Sequence, residues 1–435
     1  MKIATLLLPC LSLAFVSNAQ QPLQLSNAVN IALQNSLEMQ LARNRASTDS
    51  IYNNIGYAGG LPVINGNLSD NESITSVNQK LNTGSTIKRN NAAVNNLQVG
   101  VTGSILLYNG GRVIATKKRL EELQAQSNEL LNAQVQNILA EVTVGYYDIV
   151  RQQNYIRTIE LSIDASNKQL DIVKVRQSVG LANNADLFQA QIDLNTLQQS
   201  KLAQELIVNQ AKAELLRLLT LRPDSAIIVE DTIIVDKNVL LDDVLNSLNK
   251  NADIKAAESL VRINELIVKE TNALRYPSIR ATSGYNFLRN QAAAGQLTLN
   301  QNYGPVVGFG FAVPIYSGTV YRRQKQAAEL AVGDAGIQKQ ILYRDYRAQV
   351  VKQYQSYTNT INQLDSAVQN YKLSGKLLNL ALLRFEYKQA TIVEVKNAQQ
   401  SFQESGFRLV NLNFAAKSSE IELKRLANRL PLPNN

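Results

Sequence analysis

Two stretches of this chain contain no proline, Val63 to Arg222 and Ile315 to Leu430. Both carry an apolar or aromatic residue at every seventh position over many turns. In the first these are Val135, Val142, Ile149, Ile156, Ile163 and Leu170; in the second, Tyr343, Val350, Tyr357, Leu364, Tyr371, Leu378 and Phe385. Proline breaks a helix interior, so its absence permits long helices. A sustained sevenfold repeat keeps one seam turned to a partner and imposes a left-handed supercoil. The spacing predicts helices over 113–179 and 320–387, each roughly 100 Å long at 1.5 Å per residue. Rods of that length do not fit a compact globular domain.

Each rod ends at a turn. Gly180-Leu181-Ala182-Asn183-Asn184 stops the first, with Asn183 or Asn184 able to cap the next helix. Lys388-Gln389-Ala390-Thr391 stops the second, without a glycine, and Thr391 is its candidate cap. Returning helices are expected over 184–219 and 391–427. Arg222-Pro223-Asp224 breaks the chain between the halves. Ile227 to Val235 reads as a short strand lying outside the rods, together with the Pro431-Leu432-Pro433 tail.

The chain repeats itself. Asn35-Ser36-Leu37-Glu38 matches Asn251-Ala252-Asp253-Ile254, and Leu61-Pro62 matches Tyr276-Pro277. Leu107-Tyr108-Asn109-Gly110 matches Ile315-Tyr316-Ser317-Gly318, and Ala185-Asp186 with Ala190-Gln191 matches Val393-Glu394 with Ala398-Gln399. The offset is about 215 early and about 208 later, so one loop is longer than its counterpart. The expected organisation is a 1–19 leader, a first repeat over 20–221, a linker over 222–239, a second repeat over 240–430 and a 431–435 tail. Each repeat reads as short helix, strand, loop, strand, very long helix, turn and returning helix.

Period-two alternation marks the strands. Leu97, Val99, Val101, Ile105 and Leu107 fall on one face, with Gln98, Gly100, Thr102 and Ser104 on the other. Val307, Phe309, Phe311, Val313 and Ile315 alternate with Gly308, Gly310 and Ala312. Ile279, Ala281, Tyr285 and Phe287 alternate with Ser278, Arg280, Thr282 and Asn286. Expected strands cover about 62–70, 97–108, 277–287 and 304–316, the length of tilted strands crossing a bilayer. Any one run alone would also suit a soluble sandwich. Tyr57 and Tyr276 precede strands one and three, and Tyr108 and Tyr316 close strands two and four. They therefore share one end of the sheet, where a membrane-interface girdle would sit; tyrosine also suits ordinary sheet packing. The opposite ends lead into polar stretches, about 70–96 and 288–302, expected as loops.

Lys2, the apolar run Ile3 to Val16 and the small residues Ser17-Asn18-Ala19 form an export signal pattern, with cleavage expected after Ala19. The one cysteine, Cys10, lies inside that signal. Pro9 directly before it argues against lipidation. The mature chain then has no thiol for disulfides or thiolate metal sites. There is no histidine, the commonest general base and metal ligand. No phosphate loop or serine-nucleophile elbow appears. Neither catalytic residues, metal nor cofactor is expected. The formal charge is +9, but Lys and Arg are interspersed with Asp and Glu along helices, so nucleic acid is not an expected partner.

Four strands cannot close a barrel, which needs about eight, and open edges are not tolerated in lipid. Three copies would supply twelve strands. Two would close only a barrel filled by its own side chains. The expected fold class is mainly α with a transmembrane β part: long antiparallel helical hairpins forming an α-barrel, and four strands per protomer in a trimeric β-barrel.

From about Leu25 to Leu430 the chain resembles the TolC family of outer-membrane efflux proteins. The likeness rests on the twofold repeat, the Leu-Pro and Tyr-Pro strand entries, Leu107-Tyr108-Asn109-Gly110-Gly111-Arg112, and Arg384-Phe385-Glu386 followed by Thr391-Ile392-Val393-Glu394-Val395. The resemblance implies a homotrimeric, passive duct in the outer membrane with a long periplasmic extension. It would dock onto a periplasmic adaptor and an inner-membrane pump and release small solutes unchanged. It places Glu394 at an acidic ring lining the periplasmic constriction. Asn397 stands where the family can carry a second acid, and Ala390 where an arginine can hold the closed state. Asp186 is the first-repeat counterpart of Glu394. Either acid would also suit a helix N-terminus simply as a helix-dipole partner. Gly180, Leu181, Lys388, Gln389, Ala390 and Thr391 would form the adaptor-facing tip, with Lys388 in place of the family's usual glycine. Two alternatives are a conduit for secreted proteins and a periplasmic coiled-coil scaffold without a barrel.

Overall fold

The structure, a computed structural model, describes residues 22–431. The expected export signal and Cys10 lie outside the described residues, as does the tail beyond Pro431. The elements run in order α1 (Leu25–Asn35), α2 (Leu37–Tyr52), β1 (Val63–Lys80), β2 (Thr86–Tyr108), α3 (Arg112–Ser178) and α4 (Asn184–Leu218). There follow α5 (Leu241–Ser247), a 3₁₀ turn (Leu248–Lys250), α6 (Ala252–Ala273), β3 (Ser278–Ala292), β4 (Leu299–Ala312), α7 (Val320–Glu386) and α8 (Ile392–Leu426). Helices α3 and α7 each have 67 residues.

The chain divides into two compact units. One comprises Gln136–Val244 with the described residues of Met1–Leu37 and Val350–Asn435; the other comprises Glu38–Val135 and Leu245–Gln349.

In the first unit the heptad residues form the core. Val142, Ile149 and Leu170 of α3 are buried, as are Val350, Tyr357, Leu364, Leu378 and Phe385 of α7. The helix N-terminal to each turn packs on its returning partner. Leu378, Leu382 and Phe385 meet Val395, Ala398 and Phe402 of α8, together with Leu170 and Val173 of α3 and Ala190 and Leu194 of α4. Tyr371 stacks on Phe402 with ring centroids 5.1 Å apart, and Tyr155 meets Phe407 edge-on at 4.9 Å. Close approach of α8 to α3 depends on Gly406, where a Cβ would lie 2.6 Å from Thr158 Cγ2.

The linker is irregular throughout 226–240, not the short strand its alternation suggested. Side chains and single backbone contacts hold it where a ladder was expected. Leu23 N donates to Ile228 O at 2.8 Å and Gln153 Nε2 to Val229 O at 3.0 Å. The Tyr357 hydroxyl donates to Asp236 O. Asp236 N donates to Glu420 Oε2 at 2.9 Å, and Lys424 Nζ bridges Asp236 at 3.0 Å and Glu420 at 2.7 Å. Glu420 is 2% exposed. Its charge is tolerated there because Lys417, 3.1 Å away, and Lys424 both reach it.

In the second unit α6 lies along α3 through an antiparallel ladder of ion pairs. These are Arg119–Glu270 at 2.7 Å, Arg262–Glu122 at 2.9 Å and Lys255–Glu129 at 3.7 Å. Ile254, Ile263 and Leu266 of α6 are buried. Asn251 starts it by accepting from the N–H groups of Asp253 and Ile254. The four strands form one antiparallel sheet in the order β1-β2-β3-β4, leaving β1 and β4 as its two edges.

Three expected boundaries are corrected. The stretch 70–96, expected as a polar loop, is mostly strand: Lys80 pairs with Thr86, so only 81–85 turn. Residues 288–292 and 299–302 likewise pair. Conversely β4 ends at Ala312, so Val313, Ile315 and Tyr316 are not strand residues. Pro314 follows two positions later and cannot donate to a ladder.

Candidate functional site: a two-faced sheet and two helical turns

Residues paired across a ladder share a face, so the register assigns every strand side chain to one of two surfaces. On one face the rows are Phe311 with Ile279; Phe309, Ala281 and Ile105; Val307, Ser283, Gly103 and Ile64; Pro305, Tyr285, Val101 and Gly66; and Tyr303, Phe287, Val99 and Leu68. The band spans Ile279 to Phe287, roughly 26 Å along the strand at about 3.3 Å per residue. Phe309 is 76% exposed, Leu68 75% and Val307 73%. The next rows turn polar, with Asp70, Arg289 and Gln301 and then Glu72, Asn95 and Gln291. The opposite face holds Asn65, Asn67, Gln98, Thr102, Asn286 and Asn302, with glycine at 100, 284, 304, 308 and 310.

An apolar band of that height, exposed on one side of a sheet whose other side is amide-lined, inverts the arrangement of a water-soluble sheet. It matches the lipid face of a barrel.

Tyr57, Tyr108, Tyr276 and Tyr316 are all exposed at the end of the sheet where strands one and three begin. Tyr57 stacks on Tyr52 at 4.5 Å, and its N–H and that of Gly56 are held by Asn54 Oδ1. Gly110 takes φ +70°, and a Cβ there would lie 2.6 Å from Tyr276 Cβ and 2.8 Å from Ala273 O. That approach explains Gly110; Gly318, its counterpart in the second repeat, has open space around it and shares only the left-handed backbone, at φ +59°. At the other end of the apolar band Tyr303 and Tyr285 are exposed. Sequence reading passed over this second aromatic level because it lies within the strands.

The two helical turns share one backbone design. At the first, Leu181 N donates to Arg176 O at 2.7 Å and Gly180 N to Gln177 O at 2.9 Å, with Gly180 at φ +73°. At the second, Gln389 N donates to Arg384 O at 2.8 Å and Lys388 N to Phe385 O at 3.1 Å, with Lys388 at φ +64°. Both are Schellman closures. The second places a lysine in the left-handed region that glycine occupies in the first.

Asn183 caps α4 by accepting from Asp186 N at 2.8 Å. Thr391 and Glu394 form a reciprocal capping box at α8. Arg384 Nη2 also donates to Gln389 O at 2.7 Å, and its Nη1 lies 3.6 Å from Glu394 Oε2. Glu394 is therefore engaged within its own turn. The Thr391-x-x-Glu394 spacing carries that signal in the sequence. Asn397, Lys388, Gln389 and Leu181 are exposed, while Ala390 and Asp186 are half-buried. The turns belong to one compact unit and the tyrosines to the other. Among the described residues no cluster of acidic side chains could hold a metal, and no helix is long and apolar enough to cross a membrane.

Residues 28–220 match the model of the outer membrane efflux protein family. The outer membrane protein TolC of Vibrio cholerae is 24% identical over 343 residues, covering 76% of each chain. Over these residues the chain is similar to the outer-membrane efflux proteins of the TolC family. The crystal structure of CusC superimposes with a TM-score of 0.76 over 93% of this chain and 92% of that one, at 17% identity. The outer membrane protein VceC of Vibrio cholerae gives 0.76 over 93% and 96%, at 18% identity. At such identities the structural likeness is one of fold. The efflux-protein fold, with its long helical hairpins and four-strand sheet, is the one the sequence led us to expect. The family is one of channels and not of enzymes.

Proposed function

We propose that this chain is one subunit of a passive exit duct through the outer membrane, built from three identical copies. The observation that carries the reading is the sheet: four strands, two open edges, an exposed apolar band on one face and a polar wall on the other. Unpaired strand edges are not tolerated in lipid. Three copies of the four-stranded sheet give twelve strands and close the ring. Further support comes from exposed seams on the helices of the other unit. Leu373, Leu377 and Leu380 on α7, and Phe188, Ile192, Leu202 and Leu206 on α4, are exposed at helical spacing and call for partner helices.

In this reading substrates pass without chemical change, driven by an inner-membrane pump and handed over by a periplasmic adaptor at the two turns. Small solutes are the proposed cargo. Glu394, Asp186 and Asn397 would stand near the periplasmic constriction. The four tyrosines Tyr57, Tyr108, Tyr276 and Tyr316 would mark the periplasmic interface of the outer membrane.

The test is direct. Purified from outer-membrane fractions, the protein should migrate as a heat-modifiable trimer and conduct ions in planar bilayers. A stable, water-soluble monomer would refute it and would favour the scaffold alternative.

A further inference from the structure

The polar face of the sheet is almost free of charge. In the paired rows from Val63 to Thr75, Val94 to Leu106, Ser278 to Ala292 and Asn300 to Ala312, that face carries amides, hydroxyls, glycines and some aliphatic residues, among them Leu106, Leu288 and Val306. One position is different. Arg280 pairs with Leu106 on β2 and Gly310 on β4, and so shares this face. No carboxylate occupies it in these rows; Asp70 and Glu72 project from the opposite face. Arg280 is exposed, and its Nη1 donates to Ser104 Oγ at 3.2 Å. That contact holds the guanidinium along the wall without neutralising it. Gly310 and Gly308 beside it leave the wall without bulk.

From this arrangement, and resting on the reading of the sheet as one third of a closed barrel, we infer that Arg280 makes the barrel wall an anion-selective passage. Three copies put three guanidinium groups at one level of an otherwise neutral lumen. A ring of basic side chains selects anions, and low-dielectric walls focus its field into the pore. Guanidinium stays charged at all working pH values, so the preference is permanent. Solutes bearing a carboxylate, sulfonate or phosphate are favoured at this level. The amide wall above it supplies hydrogen bonds to uncharged groups.

Two measurements test this. In planar bilayers under a potassium chloride gradient, the trimer should give a reversal potential displaced toward chloride. Arg280→Gln should move it toward potassium, Arg280→Glu further, and Arg280→Lys should leave it near the parent value. A local probe avoids any constriction elsewhere in the channel. Thr282 lies on the same face one row away, and the only native cysteine is Cys10. A Thr282→Cys thiol in the assembled trimer should react several-fold faster with an anionic methanethiosulfonate than with a cationic one, after correction for intrinsic reactivity. Adding Arg280→Gln should abolish that preference. A conducting trimer in which neither reversal potential nor labelling ratio responds to Arg280 overturns the inference and leaves the channel reading intact. A chain that forms no membrane-inserted ring overturns both.

Discussion

The carboxylate of Glu394 accepts a hydrogen bond from the backbone N–H of Thr391 at 3.2 Å, while Thr391 Oγ1 accepts one from the N–H of Glu394 at 3.2 Å. Glu394 thereby has a local duty, starting α8, beside the constriction charge proposed for it above. The two duties separate by substitution. Glutamine can still serve a capping box, whereas alanine cannot. Glu394→Ala should destabilise the turn by about 0.5–2 kcal/mol, seen as faster amide exchange at 388–396. Glu394→Gln should leave exchange nearly unchanged. If Glu394 also sets cation block in planar bilayers, both variants should lose that block equally.

Lys388 holds φ +64° where the matching turn has Gly180. A left-handed conformation costs a side-chain-bearing residue about 1 kcal/mol. Lys388→Gly should therefore stabilise the second turn by roughly that amount, and Gly180→Lys should destabilise the first. Amide exchange at the two turns reads both effects. An unchanged or weakened second turn in Lys388→Gly would show that the lysine side chain contributes more than its backbone strain costs.

The contact between α3 and α8 should not accept added volume at Gly406. Overpacking a fitted site costs about 1–3 kcal/mol. Gly406→Ala should lower the melting temperature, and Thr158→Ala, which removes the methyl group the new Cβ would meet, should restore most of the loss. Additive effects in the double variant would contradict the close approach.

Acid should loosen the linker. The N–H of Asn238 and then the Lys424 ammonium hold the Asp236 carboxyl below its usual range. Burial works against the Lys424 charge, but hydrogen bonds to Glu420 and Asp236 outweigh it and raise that group. The folded-state value of Asp236 is depressed, so its contribution is full above the unfolded value, about 3.9. It is lost as pH falls through the lower folded value. For Lys424 the contribution is full below the unfolded value, about 10.4, and is lost as pH rises through the raised one. Limited proteolysis within 226–240 should accelerate below about pH 4 and at strongly alkaline pH, but not between. Asp236→Asn should remove the acid-dependent rise.

On the sheet, Phe309→Arg should hinder membrane assembly far more than Asn302→Arg. A basic residue at mid-bilayer on a lipid face costs about 2–4 kcal/mol, whereas a lumen position tunes selectivity. Urea titration of trimers refolded in lipid measures the difference.

The architecture was legible because its signals are long. Seven residues of the α7 seam, Tyr343 to Phe385, carry the period over many turns, and five of them are buried. The strands were legible only inside the apolar band. Beyond Asp70 and Arg289 both faces meet water, so the alternation that marks a strand disappears while the backbone ladder continues to Lys80 and Thr86. The linker erred the other way: Ile227, Val229 and Ile234 alternate like a strand, yet backbone-to-side-chain contacts to Gln153, Tyr357 and Glu420 replace any partner strand. Distant pairing of that kind leaves no local pattern. At the second turn Thr391 was legible as the cap and Glu394 as a helix N-terminal acid; the return bond from the Thr391 N–H to the Glu394 carboxylate completes the capping box.

The strand order has a consequence for assembly. Within one chain β2 of the first repeat lies beside β3 of the second, so the junction between the two halves is already zipped. The seam with a neighbouring molecule would join β4 to β1, again the second half to the first. A single chain thus contains a rehearsal of its own contact with its neighbour. An ancestral half-length gene would have closed the same wall from six pieces, and fusion would have halved the number of seams left to close between molecules.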